Sequence, residues 1–224
     1  MQGNLKIVIS VGALAAGLTA CLEPQPAADI PLMDSTQFTI ETIAESLSAP
    51  WSVTPLPRDE RTYLITERGG ALYRTDGAGI QTPLSGLPTD IYVEQQAGLF
   101  DVVLAPDFET SGEIFLAYAY GGADANGTAL YKGVLNGDQI EGGETIFRVP
   151  PKDTASHFGG RIAFLPDNSL ILTAGDGFVY REKAQDLNSL LGKVYRLGRD
   201  GKPPLDNPFI DNPSAKPEIY SYGH

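Results

Sequence analysis

Through the body of this chain the apolar positions come in short runs rich in Val, Ile, Leu, Tyr and Phe. Gly, Asp and Pro cut these runs off before a helical period of about 3.6 residues can establish itself. The pattern predicts an all-β fold. Three stretches line up, each with a proline-containing corner between strand-like runs. The first is WSVTPLP with Arg58 and Asp59, then TYLITERGG and ALYRTDGAG; the second is GLFDVVLAPDF, then EIFLAYAYGG and ALYKGVLNGD; the third is HFGGRIAFLPD, then SLILTAGDG and GKVYRLGRDG. The corner prolines Pro57, Pro106 and Pro166 stand 49 and 60 residues apart. A repeat of about 50 residues with several strands per unit is the sequence signature of a β-propeller.

Each unit has a mechanical reading. The apolar strand before the corner runs near the hub, Pro fixes φ and Asp bonds its own backbone, and the next strand returns. The final strand carries Tyr73-Arg74, Tyr131-Lys132 or Tyr195-Arg196, pairing a half-buried ring with a solvated cation. Closed propellers have roughly four to eight blades. Residues 35–224 supply only about three and a fraction, so the expected architecture is a partial propeller with open strand edges.

The first twenty residues, MQGNLKIVISVGALAAGLTA, carry one Lys and no acid, and their apolar run closes on small residues. They read as a secretory signal, too short and too rich in Gly and Ala to be a membrane span. Leu18-Thr19-Ala20-Cys21 resembles a bacterial lipobox, which makes Cys21, the only cysteine, the expected site of lipidation. The alternative is an ordinary signal peptide followed by a chance cysteine. Residues 22–34, rich in Pro, Ala and Gln, read as a flexible tether. The expected location is therefore periplasmic, with the chain held to a bacterial membrane, the outer one, through its lipid. A net charge of −12, from 28 acidic and 16 basic residues without a basic cluster, argues against nucleic acid as a partner.

His157, one of two histidines, stands at the lip of the third unit, where a general base could sit. The plainer reading is a hydrogen-bonded structural histidine. For Asp176, in Gly175-Asp176-Gly177, the plainer reading is a turn residue, and Gln96 beside Gln95 is unremarkable on its own.

From Ala49 to His224 the motifs APWSV with YLITERGGALY, QAGLFDVVLAPDF, HFGGRIAFLPD with LTAGD, AQDLNSLLGKVYRLGRDGKPPLDNPF and PEIYSYGH run in one order. That order resembles the N-terminal half of the glucose/sorbosone dehydrogenase family, soluble aldose sugar dehydrogenases that use pyrroloquinoline quinone (PQQ) on a six-bladed propeller. The resemblance implies His157 as the base that takes the C1 hydroxyl proton of an aldose, and Asp176 as the carboxylate that holds it. It implies Gln96 as a cofactor ligand, and Gln185 and Asp186 as residues of the substrate loop. The segment GFVYREKA before Gln185 is short, which leaves Tyr180 and Arg181 as pocket walls or as a solvated loop. Arg161 reads as scaffold support, bracing a close backbone approach at Gly159 and Gly160.

In the family an Arg-Asn pair follows YGH, then come carbonyl ligands for Ca2+ and further basic ligands for the PQQ tricarboxylate. These positions, the metal ligands included, are expected beyond residue 224, so residues 1–224 alone are expected to be inactive. The implied electron acceptor is a quinone or cytochrome. The competing reading is an exported, non-catalytic propeller lipoprotein that binds a ligand or partner. A propeller lactonase would need a carboxylate-rich metal centre that the sequence does not display.

Overall fold

The computed structural model describes residues 40–57 and 61–224. The export signal, Cys21, the tether and the Arg58–Asp59 corner lie outside the described residues. Within the compact unit Glu41–His224, twelve strands form three sheets of four. The first sheet is β1 (Pro50–Pro55), β2 (Tyr63–Glu67), β3 (Ala71–Thr75) and β4 (Gln81–Pro83). The second is β5 (Leu99–Leu104), β6 (Glu113–Gly122), β7 (Ala125–Asn136) and β8 (Gln139–Arg148). The third is β9 (Ile162–Phe164), β10 (Leu170–Ala174), β11 (Lys193–Leu197) and β12 (Ile219–Tyr222). Each is an antiparallel meander in chain order. Among the first strands, β5 meets β1 on one side and β9 on the other. This is the expected hub arrangement: three blades of a partial β-propeller.

Alternation of side chains explains why the middle blade is apolar on both faces. Along β6, Ile114, Leu116 and Tyr118 pack toward the first blade with Leu64, Leu72 and Leu99. Phe115, Ala117 and Ala119 pack the other way, with Phe100, Phe158 and Tyr195. A strand buried on both faces loses its polar positions, and this is the continuous run EIFLAYAY.

The blades are also buckled together at the hub by Asp101, which is 3% exposed. Its carboxylate accepts the Ser52 hydroxyl of β1 at 2.6 Å and the Ile162 N–H of β9 at 2.9 Å. Arg161 reaches the same carboxylate at 3.3 Å while its guanidinium lies 4.0 Å from the centre of the Trp51 ring. Gly160 explains the tight local path: a Cβ there would come within 2.5 Å of the Phe100 ring. Arg161 thus has the bracing position expected of it.

Two expectations need correction. The Tyr-Arg and Tyr-Lys pairs stand on the third strand of each blade, and β4, β8 and β12 follow them. Arg196 is not solvated either. It is 7% exposed, pairs with Asp167 and Asp206, and donates to Ser169 and Asn207. The Pro166-Asp167 corner folds back over β11, so a cation that alternation alone would send to solvent is covered by the corner's own carboxylate.

Candidate functional site

The site begins with the loop before β5. The Gln96 N–H donates to the Ala155 carbonyl at 3.2 Å, and its side-chain Oε1 accepts the His157 N–H at 2.9 Å. One residue of the second blade therefore fixes the chain leading into the third. His157 needs that clamp, because its φ of +50° lies in the left-handed region that side-chain-bearing residues rarely occupy. Gly175 gives the necessary clearance: a Cβ there would lie 2.3 Å from the His157 carbonyl oxygen.

At the end of β10 the chain turns through Gly175-Asp176-Gly177, and Asp176 Oδ1 lies 2.7 Å from His157 Nδ1. The same oxygen accepts the Phe178 N–H at 2.7 Å. Burial raises the Asp176 pKa, but the Phe178 N–H and His157 together outweigh it and hold the group below its ordinary value. An ionised Asp176 can only accept, so His157 carries its hydrogen on Nδ1 and leaves Nε2 as the basic nitrogen. Nε2 has no partner among the described residues, and the ring is 42% exposed. Phe178 packs edge-on against it at 5.3 Å.

His157 and Gln96 share a cleft of about 330 Å³, walled by Trp51, Arg68, Phe100 and Phe158. That volume is at the small end of the range for small-molecule sites. Nothing in the sequence pattern singles out these four wall residues, since they read as strand and core positions. The one available hint is glycine placement, Gly98 and Gly160 marking where backbones approach closely.

Beneath the dyad, Lys152 is a second feature that the pattern does not reveal. It is buried, donates to the Asn126 side chain at 3.0 Å and to the Thr154 carbonyl, and lies 3.6 Å from the centre of the Phe158 ring. The Thr154 hydroxyl donates to the Gly177 carbonyl at 2.8 Å. Burial pushes the Lys152 pKa down to about 8 against the opposing charge of Asp153. Lys152 thereby ties the segment before His157 to the turn that holds Asp176.

Gln185 and Asp186 stand elsewhere. They follow a 3-10 turn, Arg181–Ala184, that Lys193 clamps through the carbonyls of Lys183, Ala184 and Leu191. Asp186 accepts from Lys183 at 3.1 Å and from the Asn188 N–H at 2.9 Å, and lines a separate groove with Pro150, Lys152 and Tyr180. Gln185 is exposed and lies against Gly223. Neither belongs to the wall of the His157 cleft. Tyr180 donates to Asp153 at 2.6 Å, and Arg181 lies over Phe178 at 4.6 Å. Among the described residues no group of three or more His, Cys, Asp or Glu could hold a metal ion.

With this geometry in view, residues 47–224 match the family Glucose / Sorbosone dehydrogenase. The chain is 43% identical over 189 residues to aldose sugar dehydrogenase YliI of Escherichia coli K12, covering 82% of this chain and 50% of that protein. A crystal structure of a glucose dehydrogenase superposes with a TM-score of 0.78 at 37% identity, over 83% of this chain and 55% of that one. The PQQ-bound aldose sugar dehydrogenase of Streptomyces coelicolor gives 0.68 at 32% identity, over 83% of this chain and 53% of that one. The chain spans about half the length of these relatives.

Proposed function

The chain belongs to the glucose/sorbosone dehydrogenase family, and from that premise we propose that it serves the PQQ-dependent oxidation of aldose sugars at C1 to the lactone. One observation carries the reading: a histidine with a free Nε2, held by a carboxylate at 2.7 Å, opens on the same cleft as Gln96.

The residues present fit such a cofactor. The aromatic walls Trp51, Phe100 and Phe158 suit a planar ring, no carboxylate lines the cleft, and the Gln96 amide nitrogen, without a partner among the described residues, can donate to a carbonyl or carboxylate. When bound, PQQ supplies the electrophilic carbon that accepts the two electrons and the hydrogen of the C1–H bond as hydride. His157 Nε2 takes the C1 hydroxyl proton as the carbonyl of the lactone forms. Asp176 keeps Nδ1 protonated before the step and stabilises the imidazolium after it. Gln96 holds the His157 backbone and thereby the direction of the ring. Among the described residues no group of three or more His, Cys, Asp or Glu could hold Ca2+; the residue roles proposed are those of His157, Asp176 and Gln96.

The same reading has the protein exported, lipidated at Cys21, held to the periplasmic face of the membrane, and passing electrons to a quinone or cytochrome. Support comes from the lipobox-like Leu18-Thr19-Ala20-Cys21. The test is aldose-dependent dye reduction by the full-length protein loaded with PQQ and Ca2+. His157→Ala should abolish it and leave most of the PQQ affinity intact; turnover that survives the substitution would remove His157 from the role of base.

A further inference from the structure

Arg68 follows the last residue of β2 and is the one formally charged side chain on the wall of the His157 cleft. Its guanidinium has no hydrogen-bond, ion-pair or ring partner among the described residues. The contrast with the other described arginines is complete: Arg61, Arg74, Arg148, Arg161, Arg196 and Arg199 each meet a carboxylate, and Arg181 lies over a ring. A part-buried cation left alone in a chain of net charge −12 is an exception that calls for an anionic partner.

The backbone that carries this side chain is held on both sides. The Arg68 N–H donates to the Ala49 carbonyl at 3.0 Å, and its carbonyl accepts the Leu99 N–H at 3.1 Å. Gly98 packs directly on it: a Cβ at that position would come within 2.0 Å of the Arg68 carbonyl oxygen and 2.6 Å of its Cγ. The glycine of the QAGLF motif therefore makes room for the arginine of the ITERGG motif, and the guanidinium starts from a stem fixed beside Gln96. A planar fork with a fixed base and no internal partner is arranged for bidentate capture of a carboxylate.

We propose that Arg68 is an anion-binding residue of the cleft that takes a carboxylate of the planar, polyanionic quinone cofactor. This rests on the PQQ reading above, and it assigns the first blade a share in holding the cofactor.

Trp51, the only tryptophan in the chain, stands in the same cleft wall and serves as the reporter. The purified chain is titrated with PQQ and, separately, with the PQQ trimethyl ester, whose carboxylates carry no charge, following Trp51 emission. Arg68→Gln should weaken PQQ binding about tenfold to a hundredfold, Arg68→Lys should weaken it less, and the ester should bind the unsubstituted and Arg68→Gln chains alike. Lys202→Gln, which removes an exposed cation outside the cleft, should leave PQQ binding unchanged. Circular dichroism of each variant confirms an intact β fold.

If the unsubstituted chain binds PQQ and Arg68→Gln changes its affinity by less than about threefold, or weakens the ester equally, Arg68 is not the anchor and the cofactor reading stands. If the folded, unsubstituted chain does not bind PQQ, the assignment of Arg68 as an anchor falls; the cofactor reading falls with it only if the full-length protein also fails to bind PQQ.

Discussion

Asp101 on β5 and Asp176 after β10 are both carboxylates in the inner part of the blades, each within hydrogen-bond reach of a cationic or cationisable side chain. Around Asp101 every valence is used: Ser52, the Val102 and Ile162 N–H groups and Arg161 all point at it. Around Asp176 the set is deliberately short of closure. The carboxylate is satisfied by Phe178 N–H and His157, but the histidine it holds keeps Nε2 free on an open cleft. The same carboxylate chemistry makes a rivet where all partners are internal and a reactive pair where one valence is left for a ligand.

The sharpest way to separate the two regions is to remove the ring. His157→Ala should lower turnover by about 10²–10⁴-fold, while the half-exposed side chain contributes no more than about 1 kcal/mol to stability. A dye-linked assay beside a denaturation curve reads both; a large stability loss would make His157 a rivet like Asp101.

Asp101→Ala should show the opposite signature. It strands buried donors on two neighbouring blades and should cost about 3 to 5 kcal/mol in equilibrium unfolding. A loss below about 1 kcal/mol would mean that the blades are joined by apolar packing alone.

A smaller effect separates them by pH. The Asp176 pKa is lower in the folded chain than its ordinary value of 3.8, so its contribution is complete above that ordinary value and is lost as pH falls through the lowered one. Acid unfolding of Asp176→Asn should lack this part of the pH dependence. An acid limb identical to that of the unsubstituted chain would show that the dyad contributes nothing to stability. Least of all, Arg161→Gln should change stability by under about 1 kcal/mol, because the guanidinium is 61% exposed. It should still shift Trp51 emission by removing the cation from the face of its ring.

Much of this was legible in the residue order. Short apolar runs and proline-containing corners predict three β units, and the run IFLAYAY after Glu113 fits a strand covered on both faces. The fourth strands carry a weak signal: QTP is only three residues long, QIEGGETIFR is interrupted by Gly142 and Gly143, and IYSY stands a long loop away from β11. His157, Asp176 and Gln96 were reached through ordered motifs, and the fold brings all three to one place. Arg68 and Lys152 carry no comparable local signal, because what distinguishes them is the presence or absence of partners.

By itself, then, the sequence determined the alternation, the corners and the chemical identity of the groups, all of which depend on neighbours within a few residues. Tertiary structure alone decided which polar groups are closed and which are open. Ser52 meets Asp101 across 49 residues, Ile162 meets it across 61, and Gln96 meets His157 across 61. Whether a buried charge is quenched or left to act depends on such distant pairs, since desolvation makes each missing or added partner count for far more than it would in water.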